Sequence, residues 1–312
     1  MANFPLMENQ TANDLLTAFL QGGQFPNALL LWGPDGVGKR TAARWLAQGL
    51  VCTEGNGTPC GVCAACRKVA ANGHQDVMFL DNDGETIKID VVRDVIQNAY
   101  IRPGEAECKV FVIADFQNMR VEGQNALLKT LEEPPAGVHF ILTANAVSAV
   151  LPTIASRCVS VPIRTMSDEG VGKALLQKYP NADPKDRELA IALGGGSLGR
   201  AMDLLGSSDF APVCQMAVEV AEALNAADGG NLLLALAKGE KNRKILASFF
   251  KFFTALLLRE LSGKRRFLDT LSSESIVGLL GVMRELDGFI PANVNTSTLL
   301  ADLHCRMMGC VI

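Results

Sequence analysis

The sequence predicts an α/β domain built on a parallel sheet, followed by an all-helical region. Three observations carry this. Short apolar runs recur between helix-patterned stretches in the first half. The runs are short and rich in β-branched residues, which fits strands of a parallel sheet covered on both faces. After about Arg164 the strand signals stop and only helical patterns remain.

The runs fall at residues 28–32, 77–80, 109–114, 139–143 and 159–163. A helical stretch at 40–51 follows the first. Ile89, Val92 and Ile96 recur at helical spacing after the second, with Asp90 as the expected N-cap. Residues 124–133 follow the third, and Pro134-Pro135 ends that helix. Repeated strand–helix–strand order implies right-handed crossovers. Shorter helices are expected at 173–179, 186–193 and 200–205. From Phe210 longer ones follow, separated at 227–230 and at Pro291. The expected domains are 1–165, 166–207 and 208–312.

At 312 residues with 48% apolar and 20% charged residues, the chain has material for more than one core. A net charge of −4 argues against a protein whose whole surface is a nucleic-acid footprint. The longest apolar stretch, 249–258, carries Lys251 and is flanked by Arg243, Lys244 and Arg259. It is shorter than the roughly 20 residues a bilayer span needs. Residues 1–15 lack a basic and then apolar leader pattern. A cytoplasmic protein without membrane association is therefore expected.

Five motifs carry chemistry. Gly33-Pro34-Asp35-Gly36-Val37-Gly38-Lys39-Arg40-Thr41 follows a strand and opens a helix, the context of a phosphate loop. Gly33, Gly36 and Gly38 let backbone N–H groups face phosphate oxygens, and Lys39 reaches the terminal phosphates. The Ser/Thr that normally follows the lysine is replaced by Arg40, which has donors only and cannot ligate Mg²⁺. Thr41 is one position on, turned by about 100° around the helix. ATP and Mg²⁺ binding is thus left open.

Asp115 ends the third run, where a carboxylate positions Mg²⁺ in related ATPases; capping the next helix is the competing role. The next residue is Phe116, so a hydrolytic base is missing. Cys52, Cys60, Cys63 and Cys66 are separated by seven, two and two residues. Four thiolates at that spacing complete a closed tetrahedral zinc site, against the alternatives of free thiols or an iron–sulfur cluster. His74 and Cys108 are isolated. Ser156-Arg157-Cys158 precedes the fifth run, and Gly194-Gly195-Gly196-Ser197-Leu198-Gly199-Arg200 precedes a short helix. Taken alone, Arg157 is a solvated surface residue and the glycine cluster an interhelix turn.

Asn125-Ala126-Leu127-Leu128-Lys129-Thr130-Leu131-Glu132-Glu133-Pro134-Pro135, with Ser156-Arg157-Cys158 and the four-cysteine insert, resembles the delta-prime subunits of the bacterial DNA polymerase III clamp loader, relatives within the AAA+ family. The resemblance is strong over 28–164 and thin beyond about 205. It implies an AAA+ P-loop parallel-sheet domain with a zinc-module insert at 52–66, a small helical lid domain and a C-terminal all-α collar for oligomerisation. It implies a role in DNA replication beside gamma/tau and delta subunits, loading the sliding clamp onto primed DNA. Gamma/tau subunits keep a Lys-Thr phosphate loop and an Asp-Glu pair, where this chain has Lys39-Arg40 and Asp115-Phe116. Delta-prime subunits carry degraded nucleotide sites and an arginine acting in trans on a neighbour's ATP, which makes Arg157 the expected arginine finger. Arg200 stands at the family's sensor-2 position, and Thr143 or Asn145 at sensor 1. An active gamma/tau-like ATPase and a zinc-ribbon DNA-binding protein are the alternatives; the acidic balance, with only Arg67 and Lys68 as basic residues beside the cysteines, opposes the latter.

Overall fold

The computed structural model describes residues 6–55, 57–81, 85–208, 210–240, 242–263, 267–289 and 295–311. Pro291, an expected helix separator, lies outside them. The chain divides into two compact units, residues 1–170 and 171–312.

The first unit runs α1 (Gln10–Gln21), β1 (Ala28–Trp32), α2 (Lys39–Val51), α3 (Ala64–Ala70), β2 (Val77–Leu80), α4 (Ile89–Ala99), β3 (Lys109–Ile113), α5 (Val121–Glu132), β4 (Val138–Ala144), α6 (Pro152–Ala155) and β5 (Val159–Pro162). All strand pairs are parallel and the order is β2-β3-β4-β1-β5. Leu30 of β1 stands opposite Leu142 of β4 and Ser160 of β5.

Both faces of the inner strands β1, β3 and β4 are covered, which is why they read as near-continuous apolar runs; the edge strand β5 is buried only at Val161. Leu29 and Leu31 join Val110, Val112 and Ile141 in a core completed by Ala42, Ala43 and Leu46 of α2 and Leu16 and Leu20 of α1. Leu30, Phe111, Ile113, Phe140 and Leu142 form the opposite core with Val92 and Val95 of α4 and Leu127 and Leu131 of α5. The alternate residues of each strand thus serve different layers.

Two helix starts differ from expectation. The N-cap of α4 is Lys88, and Asp90 lies inside the first turn. A parallel bridge between Ile87 and Met119 keeps the backbone extended up to Lys88, so the helix begins at once behind it. From inside the first turn Asp90 still complements the helix dipole. Helix α5 begins at Val121, three residues early, and ends at Glu132. Glu133 leaves the helical region because the following Pro134 disfavours it there.

The second unit is helical throughout its described residues. Helix α7 (Asp168–Lys178) crosses the division. It is followed by α8 (Pro184–Gly194), α9 (Leu198–Gly206), α10 (Phe210–Asn225), α11 (Gly229–Ala237), α12 (Arg243–Leu261), α13 (Ser273–Asp287) and α14 (Thr296–Gly309). Leu246, Phe249, Phe250, Phe253, Leu256 and Leu257 form the buried face of α12. The rings of Phe249 and Phe253 stack at 5.2 Å. That face packs on α10 and α13. The apolar stretch at 249–258 is therefore the core of this unit, and no described helix is long and apolar enough to cross a membrane.

Candidate functional site

Parallel strands bring their carboxyl ends to one edge of the sheet, and loops after those ends build sites there. The phosphate-loop residues follow β1, Asp81 follows β2, Asp115 follows β3 and Asn145 follows β4. Gly33 is pressed against β5: a Cβ there would meet the Ile163 carbonyl oxygen at 2.1 Å. Gly38 has φ 100° at the N-cap of α2, a conformation side chains avoid.

Lys39 is 5% exposed. Its Nζ donates to the carbonyl oxygens of Gly33 (2.6 Å) and Pro34 (2.8 Å) and to Asn145 Oδ1 (3.2 Å). Asp35 lies 3.7 Å away. Desolvation by burial lowers its pKa, against the attraction of Asp35 and Asp115. Arg40 crosses the edge: Nη2 lies 2.6 Å from Asp115 Oδ2 and Nη1 2.9 Å from Asp81 Oδ2. Thr41 is exposed.

Asp115 occupies the left-handed region at φ 47° and caps nothing with its side chain; its carboxylate goes to Arg40 instead. Its backbone N–H donates to Thr143 Oγ1 at 3.0 Å. Of the two sensor-1 candidates, Thr143 is thus engaged with the Asp115 backbone, and Asn145 contacts Lys39. Phe116 is fully buried in the core beneath, so the position after Asp115 faces inward.

Arg157 lies at the other edge. It follows α6 and precedes β5, beside Asn27 and Ala28 at the amino end of β1. At about 3.3 Å per residue, the five residues of β1 put some 16 Å between the two edges. Arg157 Nη1 donates to the Thr153 carbonyl at 2.7 Å, and Nη2 pairs with Glu132 at the end of α5. Pro26, Leu131, Ser156 and Val159 complete the walls of a groove of about 590 Å³ around this pair.

The cysteines lie between α2 and β2. Cys52 is the C-cap of α2 and Cys63 the N-cap of α3. All four sulfur atoms lie within 4.8 Å of one another. The Cys52–Cys63 and Cys60–Cys66 separations are 3.9 and 4.0 Å. A tetrahedron with 2.3 Å bonds to sulfur has edges of about 3.8 Å, so the cluster could hold one metal ion. Backbone N–H groups of Gly55 and Cys60 point at Cys52, those of Val62 and Cys63 at Cys60, and that of Cys66 at Cys63. The Cys66 N–H brings the Cys63 thiol down to about 6, while burial pushes Cys66 up. His74 and Cys108 stand apart from the cluster: His74 Nδ1 accepts the Asp76 N–H, and the Cys108 thiol donates to the Leu50 carbonyl.

Gly194 ends α8, and Gly195 and Gly196 form the turn to α9. Ser197 caps α9 by accepting from the Arg200 N–H, and the Arg200 side chain is exposed. Arg200 belongs to the second unit; the loop residues, Asp115, Thr143 and Arg157 belong to the first. Sequence reasoning gave no role to Asp81 or Glu132. Asp81 had a signal, an acid directly behind a buried strand, as Asp115 is behind the next.

The family described as DNA polymerase III, delta subunit matches residues 8–167. The DNA polymerase III subunit tau of Escherichia coli (strain K12) is 34% identical over 198 residues, covering 61% of this chain and 31% of that protein. The subunit delta' of Pseudomonas aeruginosa is 36% identical over 190 residues, covering 59% of this chain and 57% of that one. The chain thus spans between about a third and somewhat over half of the length of these relatives. Among solved structures, a gamma subunit-related protein from Thermotoga maritima aligns at a TM-score of 0.49 and 16% identity, covering 95% of this chain and 98% of that one. The family match begins at Glu8, ahead of the first strand, and ends at Ser167, after the last; it takes in the whole sheet with both arginine sites and the cysteine cluster, and the chain belongs to the DNA polymerase III delta-subunit family.

Proposed function

We propose that the chain is a delta-prime-type subunit of a bacterial clamp loader, that it hydrolyses no ATP itself, and that Arg157 acts on the ATP of a neighbouring subunit. The observation that carries this is the placement of Arg157 at the amino edge of the sheet, a strand's length from its own phosphate loop. An arginine so placed serves a nucleotide presented by another protein. Its guanidinium is permanently charged and offers a planar fork to phosphate oxygens. At the transfer step it would balance charge gathering on the neighbour's γ-phosphate. Within the chain, buried Phe116 offers no base to orient water. A gamma/tau-like ATPase is favoured only by retained Lys39.

The partners under this reading are gamma/tau and delta subunits, with the sliding clamp and primed DNA engaged through the complex in the cytoplasm. Residues 166–207 act as the lid carrying Arg200, and 208–312 as the collar. Cys52, Cys60, Cys63 and Cys66 hold one structural zinc, supported by the four convergent sulfurs. A closed four-thiolate site staples the insert and activates no water. Elemental analysis should give about one zinc per chain, and Cys66→Ser should lose it; metal-free protein purified without chelators refutes the zinc reading.

The test of function is reconstitution with gamma/tau and delta. Arg157→Ala should leave assembly and zinc intact while lowering DNA- and clamp-stimulated ATPase. Arg157→Lys should rescue incompletely, since a point charge lacks the fork. Wild-type hydrolysis and clamp loading by the Arg157→Ala complex defeat the reading.

A further inference from the structure

A phosphate loop of the ATP-hydrolysing kind works with a divalent ion anchored by the acids behind its strands. The residues at this edge do not fit that ion. We propose that Arg40 is the resident cation of the site: its guanidinium holds Asp81 and Asp115 together in place of a metal, and closes the pair to Mg²⁺. The inference does not depend on the trans role of Arg157 and concerns the isolated chain.

The geometry is that of a bridge. One nitrogen of Arg40 lies 2.6 Å from an Asp115 oxygen, and the other lies 2.9 Å from an Asp81 oxygen. The two carboxylates follow different, hydrogen-bonded strands, β2 and β3, so a single planar fork ties two strand ends to the first turn of α2. Mg²⁺ demands six oxygens at 2.0–2.1 Å in octahedral array. A guanidinium lying between the two carboxylates puts a fixed positive charge where the ion would sit and repels it. Arginine does not lose its proton in proteins, so no ordinary pH vacates the place. Tethering to α2 keeps the guanidinium beside the acid pair without the cost of bringing in a free ion.

The remaining charges agree. Lys39 is turned onto the carbonyls of Gly33 and Pro34 and onto Asn145. Among the described residues, the two cations Lys39 and Arg40 face three carboxylates, Asp35, Asp81 and Asp115. A metal-free triphosphate therefore meets an edge with one more acid than base, and a metal-bound one must evict Arg40 first. The edge is thus a clasp between α2, β2 and β3 in which a guanidinium stands between the acids.

The test uses the zinc-loaded full chain with Mn²⁺ as the probe, followed by electron paramagnetic resonance with and without ATP. Wild type should take up no Mn²⁺ at this edge in the millimolar range. Arg40→Thr, which frees the acid pair and puts a hydroxyl in the first turn, should gain a Mn²⁺ site at least about tenfold tighter than any in wild type. Arg40→Ala, which only removes the fork, should gain a weaker one. Adding Asp115→Asn to either variant should abolish the gain. Stoichiometric Mn²⁺ binding by wild type that Asp115→Asn removes overturns the proposal, and so do Arg40 variants that fold but acquire no Mn²⁺ site.

Discussion

The two edges of one sheet hold their arginines differently. At the carboxyl edge Arg40 spans two carboxylates on separate strands, and Lys39 beside it is buried under loop carbonyls. At the amino edge Arg157 has one carboxylate partner, Glu132, and the pair is half-exposed at the wall of an open groove. An exposed pair of this kind contributes about 0–1 kcal/mol, so Arg157 exchanges partners at little cost. Arg40 is exposed too, so each of its pairs is screened as well; releasing it nonetheless breaks two charge-assisted bonds and leaves two acids facing each other. What differs between the edges is therefore how many acids each arginine holds: Arg40 joins two carboxylates behind different strands, whereas Arg157 holds one beside an open groove.

The largest effect that sharpens this contrast belongs to Arg157. Arginine fingers contribute about 10³–10⁵ in rate, so Arg157→Ala should depress by that order the one ATP site it serves. The total loss in a loader with several sites is smaller, and single-turnover measurement on the reconstituted complex separates them. The isolated chain should stay at background with or without Arg157. Steady hydrolysis by the isolated chain breaks the contrast.

An intermediate effect is expected at Asp76, at the amino end of β2. Against the desolvation that burial imposes, N–H bonds from Gly104, Glu105 and Ala106 hold its carboxyl below the usual carboxylate range. A depressed folded pKa means the unfolded chain binds the proton more readily. The stabilisation is then complete above about pH 3.9 and is lost as pH falls through the lower folded value. Asp76→Asn should cost about 1–3 kcal/mol at pH 7, since an amide cannot satisfy all three donors. The deficit should shrink in acid, as read from urea unfolding across pH. A deficit constant with pH assigns Asp76 a packing role only.

The smallest effect is at Glu132. Glu132→Gln should change stability by no more than about 1 kcal/mol, because the pair is exposed. It should nonetheless quicken modification of Arg157 by a dicarbonyl reagent. An unchanged modification rate means that Glu132 does not restrain the guanidinium, and the two edges then differ less than their contacts suggest.

β1, β3 and β4 were legible because each is buried on both faces and reads as a near-continuous apolar run; the edge strands β2, half-buried in its middle, and β5, buried only at Val161, were legible from their short apolar and β-branched content. Helix α1 was not legible: its buried Ala12, Leu16 and Leu20 make a narrow stripe among Gln, Asn and Thr. Helix α3 hid inside the cysteine spacing, where Cys63 serves as cap as well as sulfur donor. Arg40 and Phe116 announced a departure from the hydrolytic pattern, but not its replacement. The Arg40–Asp81 pair joins residues far apart in sequence, and only the order β2-β3-β4-β1 brings them to one edge. Glu132 was visible within a motif and silent about its partner, since the link to Arg157 runs from the end of α5 to the start of β5.

A consequence for assembly geometry follows from the 16 Å that β1 sets between its two edges. Contacts in which one face of a protomer meets the opposite face of the next are heterologous, and they build rows that continue until a member cannot offer one of the faces. A protomer with a receptive nucleotide face and a donor arginine can stand anywhere in such a row. If Arg157 acts as proposed, this chain offers the donor, while its own Arg40 bridges the acids of the receptive face. Under the proposed reading it would have one productive neighbour rather than two and would stand at a terminus, with Arg40 in the first turn of α2 closing the other face.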